Sequence, residues 1–259
     1  MNNQEKLFGG IIGRRFIYLD EVSSTNDYLK ENLTELPDGT LVAARYQTGG
    51  KGTRGRSWSA GADKCLMFSV LLKDLDFSLL SCLPLIAGLS VCEALKKATG
   101  AKFSVKWPND IVTGGKKLCG ILCESRLSGS CTNAIIGIGI NLLQTEDEFA
   151  CHDLVYATSL LLATGTFHES IPLAAKIAAG LEENICEYKK IGFTAALRKR
   201  YKSHCITLER DVLLLENGCK RTAFVRDVME DGSLLCEFDG KQRQFYSGEV
   251  SVRGLYGYI

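Results

Sequence analysis

The chain has 259 residues, 46% of them hydrophobic and 24% charged. That balance excludes a disordered, collagenous or fibrous polymer, and the length suits a large globular unit with a small one beside it, since domains commonly hold about 100 to 200 residues. A formal net charge of +1 removes any global electrostatic argument for nucleic acid, so a positive patch has to be local and balanced elsewhere.

Met1 to Gly10 mixes charged and polar side chains where a secretory leader needs a continuous apolar core, which points to a cytoplasmic protein. Arg15–Leu19 reads as a strand. Ser24-Thr25-Asn26-Asp27 then has the pattern of a helix start, with a hydroxyl cap and an acid three residues on, and the helix runs to about Asn32. Thr40–Ala44 is a second strand that leads into Gln47-Thr48-Gly49-Gly50-Lys51-Gly52-Thr53-Arg54-Gly55-Arg56-Ser57-Trp58. Four glycines between positions 49 and 55 forbid regular structure in this loop. Cys65–Leu72 is a buried strand. The apolar run Phe77–Cys92 is interrupted by Ser78, Ser81, Pro84, Gly88 and Ser90 and falls short of the ~20 residues a bilayer demands. It belongs to a buried helix over Leu79–Ala98 that ends at Gly100, and no membrane partner is expected. Lys102–Trp107 is a strand stopped by Pro108, Ile111–Thr113 and Lys117–Glu124 flank a Gly114-Gly115 hairpin turn, and Asn133–Ile140 is a further apolar strand.

Ile171–Lys189 carries Leu173, Ile177, Leu181, Ile185 and Tyr188 at helical spacing, and Phe193–Tyr201 continues as a second helix. From Ile206 the pattern changes to short β runs separated by Asn217-Gly218, Asp231-Gly232 and Asp239-Gly240, the signature of hairpins in a small β-barrel. The expected division is residues 1–204 and 205–259. Eleven cysteines, odd in number and irregular in spacing, read as reduced thiols. Cys119 and Cys123 lack a zinc knuckle and His152, His168 and His204 do not cluster, so no structural zinc is expected.

Several segments carry candidate chemistry. In the glycine-rich loop, backbone N–H groups and the side chains of Lys51, Arg54 and Arg56 suit an anion, although no Walker ending closes it. A solvated surface loop or a nucleic-acid clamp are the alternatives, the latter short of stacking aromatics since only Tyr46 and Trp58 flank the charges. Ser24, Thr25 and Asn26 suit a small polar ligand at a helix start, or plain capping. Lys106-Trp107-Pro108-Asn109-Asp110 ends a strand in polar groups, where open α/β sheets bind ligands, or makes an ordinary turn. Gly137 and Gly139 alternate with Ile136, Ile138 and Ile140, leaving one strand face bare for a flat ligand or a packed helix. Lys117, at a strand mouth, is either solvated or the lysine an adenylating enzyme needs to bring two anions together.

Taken together, Ser24-Thr25-Asn26, Gly50-Lys51-Gly52 continuing to Arg54-Gly55-Arg56 and Trp58, Lys106-Trp107-Pro108-Asn109-Asp110, Lys117-Leu118-Cys119-Gly120-Ile121-Leu122 and Gly137-Ile138-Gly139-Ile140-Asn141 resemble the catalytic domain of biotin protein ligases. Gly248-Glu249-Val250-Ser251 resembles the end of that family's C-terminal barrel. The resemblance implies an α+β fold: a mixed β-sheet with packed helices like the catalytic domain of class II aminoacyl-tRNA synthetases, followed by a small SH3-like β-barrel. It implies ATP and biotin as substrates, Mg2+, a biotinyl-adenylate intermediate and a biotin carboxyl carrier domain as partner. By position, Lys117, Lys51 and Arg54 would be catalytic. Ser24, Thr25, Asn26, Gln47, Gly50, Lys51, Lys117, Gly120 and Gly137 would form the biotin site. Lys51, Gly52, Thr53, Arg54, Gly55, Arg56, Trp58, Asn109, Lys117 and Asn141 would hold ATP and the adenylate, with Trp58 shielding it and Asp110 near the magnesium.

Three features depart from the family pattern. Lys51 and Thr53 stand where arginines are usual, replacing a bidentate fork by a point charge and a hydroxyl and predicting looser retention of the adenylate. Strict alternation would put Lys117 and Gly120 on opposite faces of their strand, so either Lys117 precedes the strand or a bulge intervenes. With 23 residues before Ser24 there is no room for the helix-turn-helix repressor domain of some family members, so a monofunctional enzyme without nucleic-acid binding is expected. Edge strands make a homodimer plausible. The rival within the fold is a lipoate or octanoyl ligase or transferase; the rival outside it is a non-catalytic nucleotide- or RNA-binding module.

Overall fold

The computed structural model describes residues 5–58, 61–128, 131–216, 218–255 and 257–259. In chain order the elements are β1 (Phe16–Val22), α1 (Thr25–Glu31), β2 (Leu41–Gln47), β3 (Cys65–Leu75), α2 (Leu83–Thr99), β4 (Ser104–Lys106), β5 (Asp110–Thr113), β6 (Lys116–Ser128), β7 (Cys131–Asn141), α3 (Glu146–Cys151), α4 (Leu160–Thr164), α5 (Ser170–Ile191), α6 (Ala195–His204), β8 (Asp211–Glu216), β9 (Cys219–Val228), β10 (Leu234–Phe238), β11 (Lys241–Phe245) and β12 (Ser251–Gly254).

The first seven strands form one sheet in the order β1-β2-β3-β7-β6-β5-β4, parallel between β1 and β2 and antiparallel elsewhere. This is the mixed sheet that the family resemblance implies. Its two faces are dressed differently. Ala43, Phe68, Val70, Ile136, Ile138 and Ile140 join α2 and α5 in the main apolar core, whereas the alternate residues Val42, Leu71 and Ile135 pack under Leu29 of α1. The period of two along each strand is what separates them. α2 begins at Leu83 rather than Leu79 because Pro84 sits in its first turn, where a missing N–H is harmless, and residues Phe77–Leu79 form a separate 3-10 turn. Gly100, at φ 74°, closes the helix in the left-handed conformation that glycine adopts without penalty. No helix among the described residues is long and apolar enough to cross a membrane.

The last five strands form a second, antiparallel sheet in the order β11-β10-β9-β8-β12. The expected barrel is therefore open in its hydrogen bonding: β11 and β12 remain the two edges, and between them the described residues show an isolated bridge, Ser247 to Val250. The turn at Asp239-Gly240 is present, with φ of 51° and 69°, while Asn217 of the expected Asn217-Gly218 turn lies outside the described residues. The second sheet docks on the β4 end of the first. Ile206 donates its N–H to the carbonyl of Val105, and Trp107 donates its backbone N–H to Thr207 Oγ1 at 2.9 Å and its indole N–H to the carbonyl of Gly232 at 3.0 Å.

Candidate functional site

Gly120 of β6 pairs with Gly139 of β7, and Gly137, two residues along, pairs with Leu122 on one side and Ser69 of β3 on the other. Since Ile136, Ile138 and Ile140 face α2 and α5, the glycines lie on the α1 face, the bare strip that the alternation predicts. A cavity of about 330 Å3 opens over it. Each glycine has a different neighbour. A side-chain carbon at Gly137 would collide with Oδ1 of Asn26, so the amide of α1 fills that space. At Gly139 it would come within 2.6 Å, and at Gly120 within 3.0 Å, of the Trp58 indole, which lies against the sheet with its N–H buried and without a hydrogen-bond partner among the described residues.

Lys117 reaches the same strip through a bulge. Val112 pairs with Lys117 but its neighbour Ile111 pairs with Cys119, so one extra residue, Leu118, is accommodated in β6. The extra residue reverses the alternation and brings Lys117 Nζ to 3.3 Å from where a Gly120 side chain would begin. The backbone of Lys117 is held by a separate segment: its N–H donates to the carbonyl of Tyr156 and its carbonyl accepts from Thr158. Its ammonium pairs with Oδ1 of Asp110 at 2.6 Å, and the phenol of Tyr258, near the chain's end, donates to the other oxygen of that carboxylate.

At the α1 end, the Thr25 N–H and hydroxyl both donate to Gln47 Oε1, at 2.7 and 3.1 Å, and the Thr25 hydroxyl lies 2.7 Å from that of Ser69. Among the described residues Gln47 Nε2 meets only the soft acceptor Sδ of Met67 at 3.3 Å. Ser24 does cap α1, but through a 3.5 Å contact to the Asp27 N–H that leaves its hydroxyl weakly engaged. Asn26 is fully bonded within the protein: Nδ2 donates to Glu124 at 2.7 Å and Oδ1 accepts from Ser69 at 2.6 Å. Asn109 donates to the carbonyl of Ile121, and Asn141 donates to that of Thr158, so both amides brace the strand ends that border the cavity.

The glycine-rich loop is more ordered than its composition predicts. Lys51 and Ser57 form a bridge, Trp58 donates its N–H to the carbonyl of Gly50, and Thr53–Gly55 makes a 3-10 turn in which Arg54 has φ 60° and Gly55 φ 71°. Arg56 bonds Thr53 within the loop, and Lys51 pairs with Asp27 of α1 at 2.7 Å. Partial burial pushes the Asp27 carboxyl up, but hydrogen bonds from Lys51 and Lys30 outweigh it and hold the group below its ordinary value.

The cavity thus gathers Ser24, Thr25, Asn26, Gln47, Lys51, Gly52, Thr53, Arg56, Trp58, Asn109, Lys117, Gly120, Gly137 and Asn141 from the expected set. Four expected residues are not on its wall. Arg54, at φ 60°, is exposed and donates to the carbonyl of Gly248. Gly50 forms the neck of the loop, where a side chain would collide with the Trp58 carbonyl, and Gly55 serves the turn. Asp110 lies behind Lys117 with both oxygens engaged, one by Lys117 and one by Tyr258, so the expected magnesium does not fit this carboxylate as arranged. Among the described residues no three His, Cys, Asp or Glu side chains gather as a metal site. Residues outside the motifs also line the cavity: Met67, the segment Asp153–Ala157, Arg253 of the second sheet and Tyr258 beyond it. Only docking of the two sheets brings the last two to the site.

Residues 18–141 match the model of the biotin/lipoate A/B protein ligase family. The chain is 30% identical over 254 residues to the Escherichia coli bifunctional ligase/repressor BirA, covering 97% of this chain and 78% of that one. It is 28% identical over 219 residues to the Mycobacterium tuberculosis biotin--[acetyl-CoA-carboxylase] ligase, covering 82% and 79%. Among solved structures, the Aquifex aeolicus biotin protein ligase in complex with biotin and ATP superposes with a TM-score of 0.81 at 35% identity, covering 93% of this chain and 99% of that one.

Proposed function

The chain belongs to the biotin protein ligase family, and from that premise we propose that it forms biotinyl-5′-AMP from biotin and ATP and passes the biotinyl group to a lysine of a carboxylase carrier domain in the cytosol. A carboxylate oxygen of biotin bonds the α-phosphorus while the bond to the bridging oxygen breaks and pyrophosphate leaves. The neutral amine of the carrier lysine then attacks the activated carbonyl, AMP departs with the bonding electrons, and the amine's proton goes to solvent.

The observation that carries this reading is the bulge that sets the Lys117 ammonium beside the glycine strip. Two anions must meet in the first step, and a fixed cation between carboxylate and α-phosphate lowers that barrier without reorganising. Thr25, Ser24 and Gln47 supply polar groups at the α1 end for the biotin ring, and Gln47 and Ser24 have bonding capacity left for it. Asn109 and Asn141 border the nucleotide end. Trp58 covers the strip, which suits protection of a mixed anhydride from water. Magnesium, when it enters, is assigned to the nucleotide rather than to Asp110. The expected division at residues 204 and 205 is retained as part of this reading, with residues 205–259 completing the site through Arg253 and Tyr258.

The test is incubation with ATP, magnesium and either biotin or lipoate, following pyrophosphate release and the mass of an added carrier domain. Biotin-dependent release and a mass gain of one biotinyl group are expected. Release driven by lipoate, or ATP turnover independent of both acids, would overturn the assignment.

A further inference from the structure

We propose that Tyr258, four residues beyond the end of the last strand at Gly254 and outside every motif, is a positioning residue that assigns the Asp110 carboxylate to Lys117 rather than to Lys106. The proposal rests on Lys117 being the lysine of adenylate formation, as argued above.

Asp110 sits between two lysines. Lys117 holds its Oδ1 at 2.6 Å, whereas Lys106, two positions from Pro108 and 5% exposed, has no carboxylate oxygen within ion-pair range among the described residues. Instead its ammonium lies 3.7 Å over the face of the Tyr258 ring. The same Tyr258 donates its phenol to Oδ2 of Asp110. One side chain thus does two things: its hydroxyl occupies the carboxylate oxygen that Lys106 would seek, and its ring gives Lys106 an alternative site for its charge. Remove the hydroxyl, and Asp110 is free to rotate toward Lys106, loosening its hold on Lys117. Burial pushes the Lys106 ammonium down to about 8, opposed by Asp110 and reinforced by Arg253, Lys117 and Arg56, so near neutral pH it remains a charged competitor. Tyr156 flanks Tyr258 with ring centroids 6.3 Å apart, and the Tyr156 carbonyl accepts from the Lys117 backbone, so the ring is wedged where the lysine is anchored.

The test compares wild type with Tyr258→Phe, which keeps the ring under Lys106 and deletes only the hydroxyl. The first measurement needs no turnover: acetylation of Lys117 in the free protein, read by peptide mass spectrometry against the exposed Lys220 as internal reference. Labelling of Lys117 should rise several-fold in Tyr258→Phe, and adding Lys106→Met should return it toward the wild-type rate by removing the competitor. Biotin-dependent pyrophosphate release should fall about tenfold in kcat with the KM for biotin unchanged. Unchanged labelling overturns the proposal, as does raised labelling with an unchanged kcat, or a double variant that labels as fast as the single one. If wild type releases no pyrophosphate, the ligase reading fails while the labelling series still decides the role of Tyr258.

Discussion

The cavity has two walls, and both are rich in glycine and lysine. On the sheet wall, Gly120, Gly137 and Gly139 are held by continuous antiparallel ladders, and Lys117 is fixed by a bulge, by two backbone bonds to a neighbouring segment and by Asp110. On the loop wall, Gly52 borders the cavity, with Gly50 at the neck of the loop and Gly55 in the turn behind it, all held by a few local bonds, and Lys51 is fixed by one exposed pair with Asp27. The side chains of the pairs reflect this: Lys117 is 23% exposed and Lys51 48%. Glycine's missing side chain makes room on the first wall, whereas in the loop it permits the positive φ of Gly55. The difference teaches where electrostatic work is done: a cation kept in place behind low-dielectric packing acts strongly, and a solvated one acts by closing and opening.

The most direct way to break the comparison is to delete each lysine. Lys117→Ala should lower biotin-dependent pyrophosphate release by on the order of 10² to 10³ in kcat, the usual cost of losing a fixed charge-stabilising group. Lys51→Ala should lower it by about tenfold or less and shorten the lifetime of enzyme-bound adenylate, measured by trapping. Equal effects from the two variants would erase the distinction between the walls.

A second contrast uses glycine. Gly137→Ala forces its methyl onto Oδ1 of Asn26, whose amide is tied to Ser69 and Glu124, so something in a bonded cluster has to shift. A loss of about 1 to 3 kcal/mol is expected, as for overpacking elsewhere, with biotin binding weakened. Gly55→Ala meets nothing within 4 Å among the described residues and has its φ of 71° to contend with, which limits the loss to roughly 1 kcal/mol. Urea unfolding of the two variants ranks them, and a larger loss at Gly55 would reverse the assignment.

The same contrast explains what could be read from the amino-acid order. The sheet wall was legible, because alternation of Ile136, Gly137, Ile138, Gly139 and Ile140 states which face is bare, and the conflict between Lys117 and Gly120 left two solutions, a lysine ahead of the strand or a bulge, of which the structure has the bulge. The loop was legible in composition but not in conformation: a left-handed Arg54 that sends the guanidinium to Gly248 depends on a contact 194 residues away. For the same reason Tyr258 and Arg253 were invisible, since they reach the cavity only after the second sheet docks at Val105 and Trp107. The short helices α3 and α4 escaped notice because five or six residues cannot display a period of 3.6, although Thr145 and Glu148 form a complete capping box.

The smallest expected effect concerns the pair that tethers the loop. Asp27 has its carboxyl held below the ordinary value in the folded chain, against partial burial, by Lys51 and Lys30. An acid whose folded pKa is depressed contributes stability that is present above its unfolded value and is lost as pH falls through the folded one. Stability should therefore decline as pH drops below the ordinary aspartate range, and Lys51→Ala should start that decline at a higher pH by removing one of the two partners, leaving Lys30 to hold the group. Because Lys51 is half exposed, the pair contributes at most about 1 kcal/mol, and less in high salt. Thermal melts of wild type and Lys51→Ala between roughly pH 5 and pH 2, at low and high ionic strength, measure it. Superimposable pH profiles would mean that the loop is held by its own backbone bridge and that the Asp27 contact follows from the loop's position rather than setting it.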